Sequence, residues 1–230
     1  GWDHIWTKTN PGYYKKEKNG VFKAASGMDD IIELDYDNPS LVKAMIGAMR
    51  FWVDECDIDG FRCDLASWVP LHFWEKARPE LDAIKPLFWL GEMDAIENEE
   101  YLAVFDVAYA WKWMHTTEDF YKKNRKKELL TDLLNQYDRV GVDGKAALFF
   151  TSNHDENSWN GTEFEKYGDM ANALAVLSFT WKGIPLLYSG QELPNVKRLK
   201  FFDKDVIEWN GSYEFQGFYR YAQTEDDTLK

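Results

Sequence analysis

Three predicted strands of this chain end in carboxylates. Gly60-Phe61-Arg62-Cys63 runs into Asp64, Phe88-Trp89-Leu90-Gly91 into Glu92, and Phe149 to His154 into Asp155. A strand with its crossover helix takes about 30 residues. Asp64 and Glu92 are separated by roughly one such unit, and Glu92 and Asp155 by roughly two. An acid after an apolar run is ordinarily a helix cap or a solvated loop residue, and neither role fixes a spacing. In a parallel barrel the strands run the same way, and their carboxyl ends converge on one mouth where catalytic side chains are held. Strands are expected near 58–64, 87–92, 103–109, 147–153 and 184–189. Helical patterns alternate with them, from Pro39 to about Glu55, Pro70 to about Ile84, Thr117 to Tyr137 and Tyr167 to about Trp181. That alternation predicts an α/β chain built as part of a (β/α)8 barrel.

The residues around each acid predict unequal roles. Side chains two apart on a strand point the same way, so Arg62 lies beside Asp64 while Cys63 faces the other side. A fixed cation favours the ionised carboxylate, which suits a nucleophile. Glu92 follows the apolar Leu87-Phe88-Trp89-Leu90-Gly91, a setting that raises a carboxyl pKa as a general acid requires. Cleaving a glycosidic bond needs this pair of groups, one acid to protonate the leaving oxygen and one carboxylate to attack or to activate water. Asp155 and the preceding His154 are expected to hydrogen-bond the sugar as it distorts.

At these residues the sequence resembles a known family. Gly60 to Pro70 (GFRCDLASWVP), Leu90-Gly91-Glu92 and Thr151 to Glu156 (TSNHDE) are similar to the second, third and fourth sequence regions of glycoside hydrolase family 13, the α-amylase family. Glu33 to Pro39 resembles the stretch before that family's third barrel helix, and Gly183 to Glu192 resembles its eighth strand. The resemblance implies Asp64 as nucleophile, Glu92 as general acid/base, Asp155 as transition-state stabiliser, and Arg62 and His154 as sugar or carboxylate contacts. It implies a retaining mechanism on α-1,4-glucosidic bonds of starch-like glucans or maltooligosaccharides, through a covalent glycosyl-enzyme. Transfer to a sugar hydroxyl by a transglycosylase or branching-type enzyme, and an inactive glucan-binding fragment, are the alternatives. Where several α-amylases carry a lysine-histidine pair, this chain has Ser67 and Trp68, which replaces charge with a stacking face and makes Trp68 a candidate substrate contact.

Gly1-Trp2-Asp3-His4 is similar to the segment that follows the end of the family's third strand, so strands four to eight are expected here. Residues 1–38, rich in Gly, Asn, Lys and Asp with a turn at Asn10-Pro11-Gly12, are expected to form a short cleft-wall excursion. Residues 39–230 are expected to form an incomplete catalytic barrel, with a last helix starting at Phe215 to Tyr221 and a polar tail from Thr224. Calcium, common in the family, is implied only for a full-length enzyme, and no metal is assigned on this chain.

Composition narrows the partners. The net charge of −13 argues against nucleic acid and anionic membranes, which attract basic surfaces, and is compatible with a neutral glucan. No run of about 18 apolar residues exists to span a membrane. An extracellular or periplasmic place suits a polysaccharide-degrading enzyme. The basic stretch Lys122 to Lys127 is expected on the solvated face of one helix. Phe88, Trp89, Phe149, Phe150 and Phe179 are expected in the core, and Trp2, Trp6, Tyr13, Trp68 and Trp159 near the mouth. Cys56 and Cys63 provide no disulfide framework, and both are expected as small buried or strand residues.

Overall fold

Asn38 starts the first long helix because its side chain accepts from the Ser40 amide at 2.9 Å, and Pro39 fills the first helical position, where no amide partner is needed. In the computed structural model this helix, α2 (Pro39–Cys56), ends at Asp57, whose left-handed φ of 50° turns the chain towards the next strand. The structure describes residues 1–25, 28–140, 143–192 and 195–209. The helix and tail expected from Phe215 onward lie outside them.

The chain divides into two compact units, Gly1–Leu90 and Gly91–Lys230. In the first, a short helix α1 (Ile5–Thr9) precedes an antiparallel pair, β1 (Ala24–Ala25) and β2 (Met28–Ile32), which gives the expected excursion a sheet of its own. The turn expected at Asn10-Pro11-Gly12 is a 3-10 helix over Pro11–Tyr13. Then come α2, β3 (Gly60–Cys63), α3 (Leu71–Asp82) and the start of β4 (Phe88–Asp94). The beginnings of β3 and β4 meet through the Phe88 amide and the Asp59 carbonyl at 2.8 Å. Backbones approach so closely there that a Cβ on Gly60 would lie 2.2 Å from the Phe88 oxygen, which is why that strand starts with glycine.

In the second unit the end of β4 meets β5 (Val107–Tyr109) through Ala95 N–H and Tyr109 O at 3.0 Å. Two helices follow, α4 (Trp111–Lys122) and α5 (Glu128–Val140), then β6 (Ala146–Phe149), α6 (Glu163–Tyr167), α7 (Ala171–Thr180) and β7 (Ile184–Pro185). Strands β5, β6 and β7 pair in parallel, with Tyr109 opposite Leu148 and Leu148 opposite Ile184. Trp89, Phe105, Trp113, Phe149 and Phe150 are fully buried in their units.

Four expectations need correction. The helix expected over Thr117–Tyr137 is two helices, because Asn124 adopts a left-handed φ of 46° and ends the first; the basic stretch crosses the break. The strands expected at 103–109, 147–153 and 184–189 are shorter. A 3-10 turn takes Glu99–Ala103, and beyond Phe149 the chain turns towards the π-helical turn, with the Asn153 side chain accepting from the Glu156 amide at 2.8 Å. Phe88 is exposed, since alternation along β4 gives the buried side to Trp89. Cys56 is exposed at the last turn of α2, whereas Cys63 is buried in β3 as expected.

Candidate active site

In the first unit Asp64 leaves the end of β3 into a sharp turn. Leu65 takes a left-handed φ of 42°, a conformation that costs a leucine about 1 kcal/mol, and the chain then closes a 3-10 turn over Ala66–Trp68. The Trp74 indole N–H donates to the Ala66 carbonyl at 3.0 Å and fixes that turn from below. Asp64 is thereby held out of the strand, its side chain 72% exposed and ion-paired with Arg62 Nη1. The expected pairing of Arg62 with Asp64, with buried Cys63 opposite, is what the structure has.

A cavity of about 480 Å³ opens beside Asp64. Trp68 lies on one wall, and Glu33, Lys15 and Lys23 on the hairpin side. Glu33 accepts from both lysines, at 2.9 and 2.5 Å, and these bonds, that to Lys23 foremost, hold its carboxyl below its ordinary pKa. Tyr36 closes another wall, with its hydroxyl pushed up to about 12 by burial.

In the second unit Glu92 is buried in β4. A Cβ on the preceding Gly91 would come within 3.1 Å of the Phe105 ring, so glycine lets the core close tightly next to this acid. Two residues on, buried Asp94 accepts from the amides of Ile96, Glu97 and Lys112 and from the Tyr137 hydroxyl, at 2.8, 3.1, 2.7 and 2.6 Å. Burial, foremost, and the Asp94 charge raise the Tyr137 pKa, so the phenol stays a donor. This hub was not legible in the sequence, because Tyr137 is far along the chain.

Asp155 sits past β6 at the head of a π-helical turn, Glu156–Asn160, with His154 Nε2 at 3.4 Å from its carboxylate. Beneath it lies a buried polar network that spacing did not reveal. Lys166, fully buried on α6, pairs with Glu156, which also accepts from Asn160 at 2.9 Å. Glu163, on the same helix, accepts from Thr151 Oγ1 at 3.1 Å and Gln191 Nε2 at 2.7 Å. The capping box of Thr162 and Glu165 was the available signal that a helix begins there and turns these side chains inward.

Burial pushes the Glu163 carboxyl up to about 7, against the opposing pull of Thr151, Gln191 and Lys166. An acid whose folded pKa exceeds its unfolded value binds its proton more tightly when folded. The contribution of this group to stability is therefore largest below about 4.5, falls as pH rises towards 7 and is level above it. Glu163→Gln removes this titration. Denaturant unfolding at pH 5 and pH 8 is expected to show wild type losing on the order of 2–3 kcal/mol relative to the variant between the two; a constant difference would refute the assignment.

Among the described residues no group of three or more His, Cys, Asp or Glu side chains is placed to hold a metal ion, and no helix is long and apolar enough to cross a membrane.

The chain is similar to known proteins. A cyclomaltodextrinase from Thermoanaerobacter pseudethanolicus is 27% identical over 174 residues, covering 68% of this chain and 28% of its own length. A cyclomaltodextrin glucanotransferase from Geobacillus stearothermophilus is 27% identical over 192 residues, covering 76% of this chain and 25% of its own. The crystal structure of the maltogenic α-amylase AmyB from Thermotoga neapolitana superposes with a TM-score of 0.84 at 29% identity, over 96% of this chain and 52% of that one. The chain thus spans about half of that solved structure and about a quarter of these two curated relatives. The fold is that of part of a (β/α)8 barrel. The family profile described as alpha amylase, catalytic domain, matches residues 13–224, and the chain belongs to that family.

Proposed function

We propose that this chain carries the catalytic acids of a retaining glycosidase acting on α-1,4-linked glucans, with Asp64 as nucleophile, Glu92 as general acid/base and Asp155 as transition-state stabiliser. The observation that carries the reading is that each acid lies near the carboxyl end of its own strand, Asp64 directly after β3, Glu92 two residues before the end of β4 and Asp155 six residues past β6. The electrostatics around each support its role. Arg62 keeps a cation on Asp64, as suits a group that must attack as the anion, and the burial of Glu92 suits one that must deliver a proton. His154 and Asp155 offer a donor and an acceptor to sugar hydroxyls, and Trp68 a flat wall beside Asp64.

In the first step the Asp64 carboxylate attacks the anomeric carbon while Glu92 protonates the departing oxygen. In the second, water attacks the glycosyl-enzyme while Glu92 takes back a proton. Transfer to a sugar hydroxyl instead of water is the second reading, favoured by the likeness to a glucanotransferase as well as to hydrolases.

The test is the configuration of the first product, followed by proton NMR of a maltooligosaccharide digest before mutarotation. The enzyme carrying this chain is expected to release the α-anomer; initial release of the β-anomer would exclude a nucleophilic Asp64.

A further inference from the structure

Two loops beside His154 hold a cluster of aromatic rings in the open. Phe202 is 86% exposed, Trp159 55% and Phe201 40%. Phe201 packs at 4.9 Å from Phe202 and 5.1 Å from Trp159, Trp159 meets Phe202 at 5.8 Å, and the His154 ring is stacked on Phe201 at 6.3 Å with 21° between the planes.

These rings are not loose. Asp205 closes the loop that carries Phe201 and Phe202, accepting from Lys197 Nζ at 2.5 Å, the Lys200 amide at 3.0 Å and the Val206 amide at 2.8 Å. The loop is tied to the turn that carries Trp159 by the Asn157 side chain, which accepts from the Leu199 amide at 2.8 Å and donates to the Lys197 carbonyl at 3.2 Å. Arg198 and Glu165 add an ion pair at 2.9 Å. Exposed apolar rings fixed this firmly have been ordered in advance of whatever covers them, which is how a binding surface limits the entropy lost on association.

From this geometry we infer that the cluster of Trp159, Phe201 and Phe202, its rings inclined at 44°, 68° and 82° to one another, offers a stacking face to a glucosyl unit of an α-1,4-linked glucan chain beside His154. The inference rests on the glycosidase reading above. Three arguments select a sugar as the occupant. The rings offer only a few hundred Å² together, well below the ~800 Å² per partner of a stable protein interface. A pyranose presents an apolar, weakly positive C–H face that matches the negative face of an aromatic ring. Lys200 and Asp203, whose charged groups lie 3.8 Å apart, flank the rings in sequence and put polar groups on the same loop.

Calorimetric titration with maltoheptaose in an Asp64→Asn background, which does not cleave the ligand, tests the platform apart from turnover. Trp159→Ala and Phe202→Ala are each expected to weaken binding five- to tenfold, and Phe202→Trp to retain it. Because Phe202 is largely exposed, the thermal midpoint of its alanine variant should match wild type. Maltoheptaose affinity unchanged in both alanine variants, or no binding by the non-cleaving chain with all three rings intact, would overturn the platform. Starch hydrolysis measured on the same ring variants with Asp64 intact keeps the two readings apart. Activity with unaltered affinity in the alanine variants removes the platform alone, whereas ring-dependent binding without hydrolysis in the enzyme carrying this chain upholds it and removes the catalytic assignment.

Discussion

Asp64→Asn is expected to lower starch hydrolysis by the enzyme carrying this chain on the order of 10⁴-fold, with the fold intact. The amide keeps the size of the side chain and one acceptor oxygen, yet it has no anionic oxygen with which to form the glycosyl-enzyme. Two structural facts make the variant informative. Asp64 is 72% exposed, so its loss leaves no buried group stranded, and the Arg62 side chain that pairs with it is itself partly open to water. A large fall in rate without a change in thermal midpoint therefore reports chemistry. Reducing-sugar release measures the first and calorimetry the second; residual activity within tenfold of wild type would remove Asp64 from the role of nucleophile.

The second large effect is on stability. Lys166→Met is expected to cost about 3–5 kcal/mol, read as a lower denaturant midpoint, because it leaves the Glu156 carboxylate buried without its cation. Asn160 still donates to Glu156, but one neutral donor does not replace an ammonium group taken out of water. Adding Glu156→Leu to the same chain is expected to recover most of the loss, since replacing both members of a buried pair by apolar groups is far cheaper than removing one. A single variant within 1 kcal/mol of wild type would mean that water reaches the pair. Glu156 directly follows Asp155, so the recovered double variant would also show whether the charged pair or simple packing sets the position of that acid.

Where the signal was local, the sequence could be read. The start of α2 follows from Asn38-Pro39, and Asp64 beside Arg62 follows from the two-residue period of β3. Asn124 was a readable stop as well, since after glycine asparagine is the residue that most readily takes a left-handed turn, yet the apolar stripe of α5 outweighed it. Phe88 was misread because an uninterrupted apolar run hides which face of a strand is covered. The supports of the site were not legible for another reason. Tyr137 reaches Asp94, Gln191 reaches Glu163, and Phe201 reaches Trp159 and His154 only after distant segments have folded against one another.

The Asp94 carboxylate carries that thought into folding. Its four donors come from the loop after β4, the first turn of α4 and a side chain on α5. Closing the long loop from Asp94 to Tyr137 costs chain entropy before the last bond forms. Until then a dehydrated carboxylate is short of partners, and each donor that arrives makes the next more favourable. One acid thus makes three segments rise and fall together: a strand end, a helix start and a more distant helix behave as a single cooperative step, and Glu92, two residues away, inherits its position from that step.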